Sequence, residues 1–221
     1  HNIPLETLAI KGVRGNGLKR KLELPFTLMK TVAAAKDVLC RHQINCVIGF
    51  GGFVTFPGGV AAKLMNVPLV IHEQTAVAGL ANKTLSRWAR RVLYAFPNAF
   101  DAPDGLVGNP VRADIAALPV PAERFAPRTG RLKVLVMGGS LGAQVLNQTV
   151  PAALALLPED KRPIVYHQSG RNKLDDLKAA YAKAGVEAYC TEFIDDMVKV
   201  YSHADVVVCR AGALTVAELT A

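Results

Sequence analysis

Seven short apolar runs alternate with helical patterns along the chain, and this alternation restricts the fold more than any other feature. The predicted strands are residues 44–50, 68–73, 91–96, 132–138, 162–168, 186–192 and 204–210. The predicted helices are residues 58–66, 78–90, 142–156, 172–184, 195–202 and 213–221. Because the strands are apolar throughout, helices should cover both faces of each sheet, as in parallel sheets. The sequence therefore predicts an α/β protein.

A proline-rich stretch without apolar periodicity, residues 117–131, predicts a linker between two domains, 1–116 and 132–221. The chain is long enough for two domains of about 100 residues each. Two doubly wound domains would face each other across a cleft lined by the loops that follow their strands. The final residues, AGALTVAELTA, break off within a helical pattern. We therefore expect a portion of a longer protein in which both domains are incomplete.

Positive charge is concentrated in the first half of the chain. Residues 1–112 contain 14 Lys and Arg against six Asp and Glu, whereas residues 113–221 contain 12 of each class. This excess predicts an anionic partner for the first half. Nucleic acid is not the expected partner, because no recognised nucleic-acid-binding motif accompanies the charge. The sequence also has no run of about 18 apolar residues of the kind that spans a membrane.

An apolar stripe with a basic rim lies within the first 30 residues. Leu18, Leu22, Phe26 and Met29 follow spacings of four, four and three, which would place them on one side of a helix. With three basic neighbours they form a predicted membrane patch: Leu18, Lys19, Arg20, Lys21, Leu22, Phe26 and Met29. The alternative is a helix that packs this stripe into the core and leaves its lysines in solvent.

The stretch VLVMGGSLGAQVLNQT, residues 134–149, is typical of a strand, a tight glycine turn and a helix. One interpretation is a hydrolase with Ser140 as the nucleophile of G-x-S-x-G and with Asp196 and His203 as partners. In a second interpretation, small residues and the unpaired N–H groups of the following helix bind a phosphate. A third is a turn that only links strand to helix. A P-loop is excluded, because its lysine is missing.

Two further small-residue turns, 49–59 and 209–218, also follow strands and precede helices. Three such turns together predict a site lined by backbone donors for a diphosphate. In the third turn, Glu218 is either an acceptor for the two hydroxyls of a ribose or a helix-capping glutamate. The chain contains no D-x-D motif. We therefore expect backbone amides and Arg112, without a metal ion or another cofactor, to stabilise the diphosphate.

Seven motifs, in order, resemble those of the MurG family of bacterial peptidoglycan N-acetylglucosaminyltransferases, which belongs to glycosyltransferase family 28. They are GFGGFVTFPGG (49–59), VIHEQTAVAGLANK (70–83), VGNPVR (107–112), MGGSLGAQVLNQT (137–149), YHQSG (166–170), TEFIDDM (191–197) and VVVCRAGALTVAE (206–218). The resemblance implies the two-domain GT-B fold. It also implies transfer of N-acetylglucosamine from UDP-N-acetylglucosamine (UDP-GlcNAc) to lipid I, giving lipid II with inversion at the anomeric carbon.

The resemblance further implies roles for individual residues. UDP-GlcNAc would be bound by ten residues: Thr75, Arg112, Ser140, Ile194, Ala213, Leu214, Thr215, Val216, Ala217 and Glu218. The diphosphate of the acceptor would face a loop formed by Gly51, Gly52, Phe53, Gly58 and Gly59. His72 and Glu73 would lie near the reacting centre, and no metal would be bound. The implied partners also include an anionic membrane surface, at the cytoplasmic face of the bacterial inner membrane, and other cell-wall synthesis and division proteins.

The sequence departs from the family pattern in three places. Thr75 stands where the family usually has Asn. The family's first strand and its GGTGGH loop, with the histidine most often proposed as general base, are absent from these 221 residues. The glutamines that contact the sugar are absent too, so we expect no sugar transfer by these residues alone. Two alternatives remain open: a serine hydrolase using Ser140 and a non-catalytic module that binds a nucleotide sugar.

Overall fold

A computed structural model describes residues 4–8, 18–102, 104–139 and 141–221, and for 18–24 it describes the backbone only. The chain forms two compact units, His1–Asn109 and Pro110–Ala221. Each unit contains a parallel β-sheet and its own hydrophobic core.

The first unit contains a three-stranded parallel sheet of order β1-β2-β3. Its strands are β1 (Val47–Gly49), β2 (Leu69–Glu73) and β3 (Arg91–Tyr94), and its helices are α1 (Leu18–Arg41), α2 (Thr55–Leu64) and α3 (Leu80–Leu85). Leu69, Ile71 and Leu85 form the centre of the core, and Trp88 packs against them. Trp88 thus contributes to the core of the unit.

The second unit contains a four-stranded parallel sheet of order β6-β5-β4-β7. Its strands are β4 (Lys133–Met137), β5 (Ile164–Gln168), β6 (Tyr189–Thr191) and β7 (Val206–Cys209). Its helices are α4 (Ala113–Ala116), α5 (Pro121–Phe125), α6 (Gln144–Ala155), α7 (Leu174–Ala184), α8 (Met197–His203) and α9 (Ala213–Leu219). A short 3₁₀ helix, Glu159–Lys161, precedes β5.

Strand β4 shows why the sequence of a central strand is apolar throughout. Leu135 and Met137 belong to one core cluster, which also contains Tyr201 of α8. Val136, between them, belongs to a second cluster with Val165 and Leu177. Because successive side chains point to opposite faces of a sheet, β4 buries both of its faces. The predicted α/β class with parallel sheets is confirmed, and all seven predicted strands and six predicted helices are present.

The proline-rich stretch 117–131 lies inside the second unit, since the division between the units falls after Asn109. It contains α5 and is bound to the rest of the unit through two arginines. The Arg124 guanidinium donates a hydrogen bond to the carbonyl oxygen of Tyr201 at 3.0 Å, and Arg128 forms an ion pair with Asp205. The stretch is therefore a packed segment of the second unit, where the sequence predicts a linker between domains.

Candidate functional site

Two of the predicted turns meet at the carboxyl end of the second sheet. Strands β4 and β7 are parallel neighbours, with Met137 paired to Cys209. The turns that follow them therefore lie side by side. Together they enclose a cavity of about 290 Å³ whose lining combines small residues with one arginine: Gly138, Gly139, Arg210, Ala211, Gly212 and Thr215. Ser140 lies outside the described residues.

The glycines of the first turn serve different purposes. Gly139 has a φ of +80°, and a Cβ added there would meet nothing within 4 Å, so its backbone faces open space. A Cβ added at Gly138 would lie 2.2 Å from the amide nitrogen of Ala143, and one at Gly142 would lie 2.0 Å from the carbonyl oxygen of Ser169. Gly138 and Gly142 are therefore required for packing within the chain. Among these three glycines, only Gly139 leaves its backbone open, and the binding of a ligand there stays a prediction.

The turn after β5 supports the glycine turn after β4. Asn147, which is buried in α6, donates a hydrogen bond through Nδ2 to the carbonyl oxygen of Ser169 at 3.0 Å. Lys173 donates one through Nζ to the carbonyl oxygen of Leu141 at 2.8 Å. The YHQSG motif thus contains the support of this turn, a role that the sequence analysis missed. The signal in the sequence was Asn147, a polar residue at a position where the helical pattern predicts burial.

A second cluster joins three distant parts of the same unit. Arg112, which precedes α4, donates from Nη2 to Oε1 of Glu218 in α9 at 3.0 Å. The hydroxyl of Tyr201 in α8 donates to Oε2 of Glu218, also at 3.0 Å. The structure therefore brings together two predicted donor-binding residues, Arg112 and Glu218, which pair with each other. It adds Tyr201, which the sequence analysis missed.

The remaining predicted donor residues of the second unit form two groups. The run from Ala213 to Glu218 lies within α9, and of these residues Thr215 lines the cavity. The side chain of Ile194 is buried in the core beside Leu135 and Tyr201. Only the backbone of Ile194 is therefore suited to contact a ligand, in agreement with the expected backbone contact to uracil, which stays a prediction.

The structure opposes the serine hydrolase alternative. The carboxylate of Asp196 accepts a hydrogen bond from the amide of Lys199 at 2.9 Å and so caps α8. His203 precedes β7, whereas the glycine turn follows β4, and these strands are parallel. The six residue steps from His203 to Cys209 span about 20 Å along an extended strand. His203 and the turn that follows β4 therefore lie at opposite ends of the sheet.

In the first unit, Glu73 at the end of β2 organises the following turn. Its Oε1 accepts hydrogen bonds from the amide and the hydroxyl of Thr75, at 3.1 and 2.7 Å. Its Oε2 accepts from the amide of Gly79 at 3.0 Å and from Nδ2 of Asn82 at 2.9 Å. Burial raises the pKa of the Glu73 carboxyl, but these hydrogen bonds outweigh burial and hold that pKa below its usual range. Glu73 is thus an ionised anchor, and the side chains of Thr75 and Asn82 donate hydrogen bonds to it.

His72 is buried next to this anchor. Its Nε2 lies 2.9 Å from the carbonyl oxygen of Gly108, so Nε2 carries the proton and donates it. Nδ1 is buried and has no hydrogen-bond partner among the residues that the structure describes. The ring of Phe50 approaches at a centroid distance of 5.9 Å. Of the two predicted catalytic residues, His72 has a ring nitrogen without a hydrogen-bond partner in the described part of the chain, whereas both carboxylate oxygens of Glu73 accept hydrogen bonds.

The glycine loop of the first unit is shorter than predicted. Helix α2 begins at Thr55, so Gly58 and Gly59 are helical and do not belong to the loop. Pro57 lies in the first turn of α2, where a proline is tolerated because its missing N–H has no helical partner. A Cβ at Gly59 would lie 2.6 Å from Cδ2 of Leu85, so this glycine allows α2 to pack against α3.

The part of the predicted loop that remains is Gly51, Gly52 and Phe53, which follow β1. Gly51 has a φ of +82°, and a Cβ there would lie 3.1 Å from Nδ2 of Asn82. Gly52 has a φ of +77° and faces open space. This loop and the Glu73 anchor are therefore in contact through Asn82, at the carboxyl ends of two neighbouring strands.

The predicted membrane patch lies on α1, which is helical throughout with Pro25 inside it. Phe26 is 71% exposed and Met29 is 69% exposed, whereas Thr31 and Ala35 are buried. The stripe therefore does not pack into the core at these two positions. The side chains of Leu18, Lys19, Arg20, Lys21 and Leu22 lie outside the described part of the chain. Within the described ranges, no helix is long and apolar enough to cross a membrane.

Comparison with known proteins gives two matches to one family. Residues 1–94 match the glycosyltransferase family 28 N-terminal domain, and residues 133–221 match the glycosyltransferase family 28 C-terminal domain. Over its whole length the chain is 71% identical to the UDP-N-acetylglucosamine--N-acetylmuramyl-(pentapeptide) pyrophosphoryl-undecaprenol N-acetylglucosamine transferase of Neisseria gonorrhoeae, and it covers 62% of that protein. The enzyme of the same name from Ralstonia nicotianae is 52% identical over 224 aligned residues, and the chain covers 61% of it.

A solved structure also resembles this chain, in both sequence and fold. The crystal structure of Acinetobacter baumannii MurG is 41% identical in sequence and superposes with a TM-score of 0.78. The alignment covers 99% of this chain and 61% of that one. The chain thus spans about six-tenths of the length of the proteins it resembles.

Proposed function

Because the chain belongs to glycosyltransferase family 28, we propose that the full-length protein transfers N-acetylglucosamine from UDP-GlcNAc to lipid I and so makes lipid II. The relative from N. gonorrhoeae is named for a transfer of this kind. The observation that carries the proposal is the cavity where the turns after β4 and β7 meet, with Arg210 and the open backbone of Gly139 in its lining.

The proposal assigns the diphosphate of UDP to this cavity. When the sugar leaves UDP, negative charge develops on the diphosphate, and a neighbouring guanidinium lowers the free energy of that state. Arg210 supplies the guanidinium, and Gly139 and Gly212 allow a phosphate to approach the backbone. Arg210 is not among the site residues predicted from the sequence, although it directly follows the apolar run of β7 within the third small-residue turn.

The ribose is assigned to Glu218, whose carboxylate lies in the same helix as Thr215, one turn further on. A carboxylate accepts hydrogen bonds from both hydroxyls of a ribose. Arg112 balances the charge of Glu218, with their closest atoms 3.0 Å apart. Arg112 therefore serves the donor site by holding Glu218.

The acceptor is assigned to the first unit. The open backbone at Gly52 follows β1, and His72 and Glu73 end the neighbouring strand β2. Glu73 is already saturated by donors and ionised, so its share is to hold the turn after β2 in place. Of the pair, we assign the proton of an acceptor hydroxyl to His72, because its buried Nδ1 has no hydrogen-bond partner among the described residues.

The membrane is the proposed location, because lipid I is a membrane-bound acceptor. The exposed side chains of Phe26 and Met29 on α1 provide apolar contact, and the excess of Lys and Arg in the first half attracts anionic lipid. The protein would bind peripherally, at the leaflet that carries its acceptor.

The direct test is transfer of labelled N-acetylglucosamine from UDP-GlcNAc to a lipid I analogue by the full-length protein, with and without a metal chelator. We expect lipid II in both conditions, and at least a tenfold loss of kcat/KM in Arg210→Ala. The control is Lys161→Ala, which removes a positive charge at the opposite end of the second sheet. Binding of UDP-GlcNAc without any transfer would favour the non-catalytic module, and loss of transfer in the chelator would contradict the metal-independent mechanism.

A further inference from the structure

We propose that Tyr201 is a positioning residue that orients the Glu218 carboxylate toward the ribose of the nucleotide, and thereby sets the preference for ribose over deoxyribose. This inference rests on the function proposed for the site. The evidence for it is the geometry of three residues from separate segments: Arg112 before α4, Tyr201 in α8 and Glu218 in α9.

The position of the Tyr201 ring is fixed by its surroundings. The side chain is only 5% exposed and packs in the core cluster with Ile115 and Leu135. Its backbone carbonyl accepts a hydrogen bond from Arg124 at 3.0 Å. Its hydroxyl oxygen lies 3.7 Å from the sulfur of Met137 and 3.0 Å from Oε2 of Glu218. The hydroxyl is therefore a rigidly placed donor at the edge of a packed core.

The protonation state of Tyr201 supports the same role. Burial, and after it the negative charge of Glu218, raises the pKa of the Tyr201 hydroxyl above its usual range. The hydroxyl thus keeps its proton at every physiological pH and donates it to the carboxylate.

Glu218 receives one donor on each oxygen, which fixes the plane of its carboxylate. Oε1 accepts from Arg112 and Oε2 accepts from Tyr201. A carboxylate oxygen has two lone-pair directions, so each oxygen keeps one for a further donor. Two neighbouring hydroxyls, as in a ribose, match two such acceptors side by side. Arg112 is 48% exposed and cannot hold this orientation alone as firmly as the buried tyrosine does.

The experiment measures the Kd of UDP and of deoxyuridine diphosphate, which lacks the 2′-hydroxyl, by calorimetry on the full-length protein. We expect the wild type to bind UDP about tenfold more tightly, the effect of one hydrogen bond to a charged group. In Tyr201→Phe, which keeps the ring in the core, UDP should bind about fivefold more weakly. Deoxyuridine diphosphate, which keeps only the 3′-hydroxyl, should lose less affinity than UDP, so the preference shrinks. KM for UDP-GlcNAc should rise with kcat unchanged.

The matched control is Tyr181→Phe. It removes another buried tyrosine hydroxyl of the same unit, one that is hydrogen-bonded to Nδ1 of His167. This variant should keep the wild-type preference for UDP. Because a general loss of stability would weaken both ligands equally, only a change in their ratio supports the positioning role. A Tyr201→Phe protein with the full preference overturns the inference, as does a wild type that binds both ligands equally. A wild type that binds neither overturns the proposed function itself.

Discussion

The ring nitrogen Nδ1 of His167 lies 2.9 Å from the phenol oxygen of Tyr181 in the interior of the second unit. His167 is completely buried on β5, and the two rings meet edge-on with centroids 5.7 Å apart. Burial lowers the pKa of His167 to about 4. The YHQSG motif therefore contains a histidine that is neutral in the folded protein and belongs to the core.

This burial predicts acid sensitivity of the second unit. The pKa of an unfolded histidine is about 6.5, so between pH 6.5 and 4 the unfolded chain binds a proton that the folded chain does not. The stabilising effect is complete above pH 6.5 and is lost as the pH falls towards 4. Over that range, the free energy of unfolding should drop by about 3 kcal/mol on account of His167 alone. Chemical unfolding at a series of pH values measures this drop.

His167→Gln removes the titration and keeps a hydrogen-bonding partner for Tyr181, so its pH dependence should be flatter than that of the wild type. His203→Gln is the control, because His203 is an exposed histidine of the same unit. Equal pH slopes in wild type and His167→Gln would show that His167 is not the residue responsible.

The Glu73 anchor predicts that a single atom change disrupts the turn after β2. In Glu73→Gln, an NH₂ group replaces one carboxylate oxygen. A hydrogen-bond donor then stands where the neighbouring N–H group needs an acceptor. We expect a loss of about 2 kcal/mol in stability of the first unit. Hydrogen exchange should be faster at the amide of Thr75 or of Gly79, whichever of the two faces the new NH₂ group and loses its acceptor.

Asp101→Asn is the matched control, since Asp101 is an exposed acid of the same unit. It should change neither stability nor exchange at those amides. Unchanged exchange in Glu73→Gln would mean that other contacts hold the turn, contrary to the anchoring role.

The sequence predicted the elements of the fold well because apolar runs of strand length alternate with helical patterns along the chain. β4, for example, appears as the mainly apolar run 132–138, and the structure has it at Lys133–Met137. Polar pairings could not be predicted in this way. Arg112 and Glu218 are 106 residues apart, and nothing in the local pattern of either indicates that they form an ion pair.

Glycines show a second limit of sequence analysis. A glycine that admits a ligand and a glycine that admits another part of the backbone look the same in the sequence. Gly139 and Gly142 are three residues apart in one turn, yet only Gly142 touches the turn after β5. Likewise, Gly59 looks like part of a phosphate loop in the sequence. The structure places it in α2, which begins before Pro57 because a proline is tolerated in the first turn of a helix.

Gly142 and Gly139, both in the turn after β4, therefore predict different phenotypes when each is replaced by alanine. In Gly142→Ala, the new Cβ would lie 2.0 Å from the carbonyl oxygen of Ser169, at a φ of +67°. We expect a loss of about 3 kcal/mol in stability, and the midpoint of thermal unfolding should fall accordingly. In Gly139→Ala the Cβ meets open space, so only the cost of positive φ remains, about 1 kcal/mol. UDP affinity, measured by calorimetry, should nevertheless fall in Gly139→Ala, because the methyl group occupies the ligand's approach.

Each variant is the control for the other in this pair. A Gly142→Ala protein as stable as the wild type would contradict the packing role of Gly142. Undiminished UDP affinity in Gly139→Ala would remove Gly139 from the proposed diphosphate site.

The exposed residues of α1 predict a measurable contribution to membrane binding. Replacing Phe26 and Met29 with Ser removes two large apolar side chains that are 71% and 69% exposed, without opening the core. Transfer of one such side chain into a membrane interface is worth about 1.5 kcal/mol or more, so the double variant should bind anionic vesicles at least tenfold more weakly. Co-sedimentation with vesicles measures this. Leu156→Ser, which changes an 86% exposed leucine of the second unit, should bind like the wild type. Equal binding by all three proteins would exclude α1 from the membrane contact.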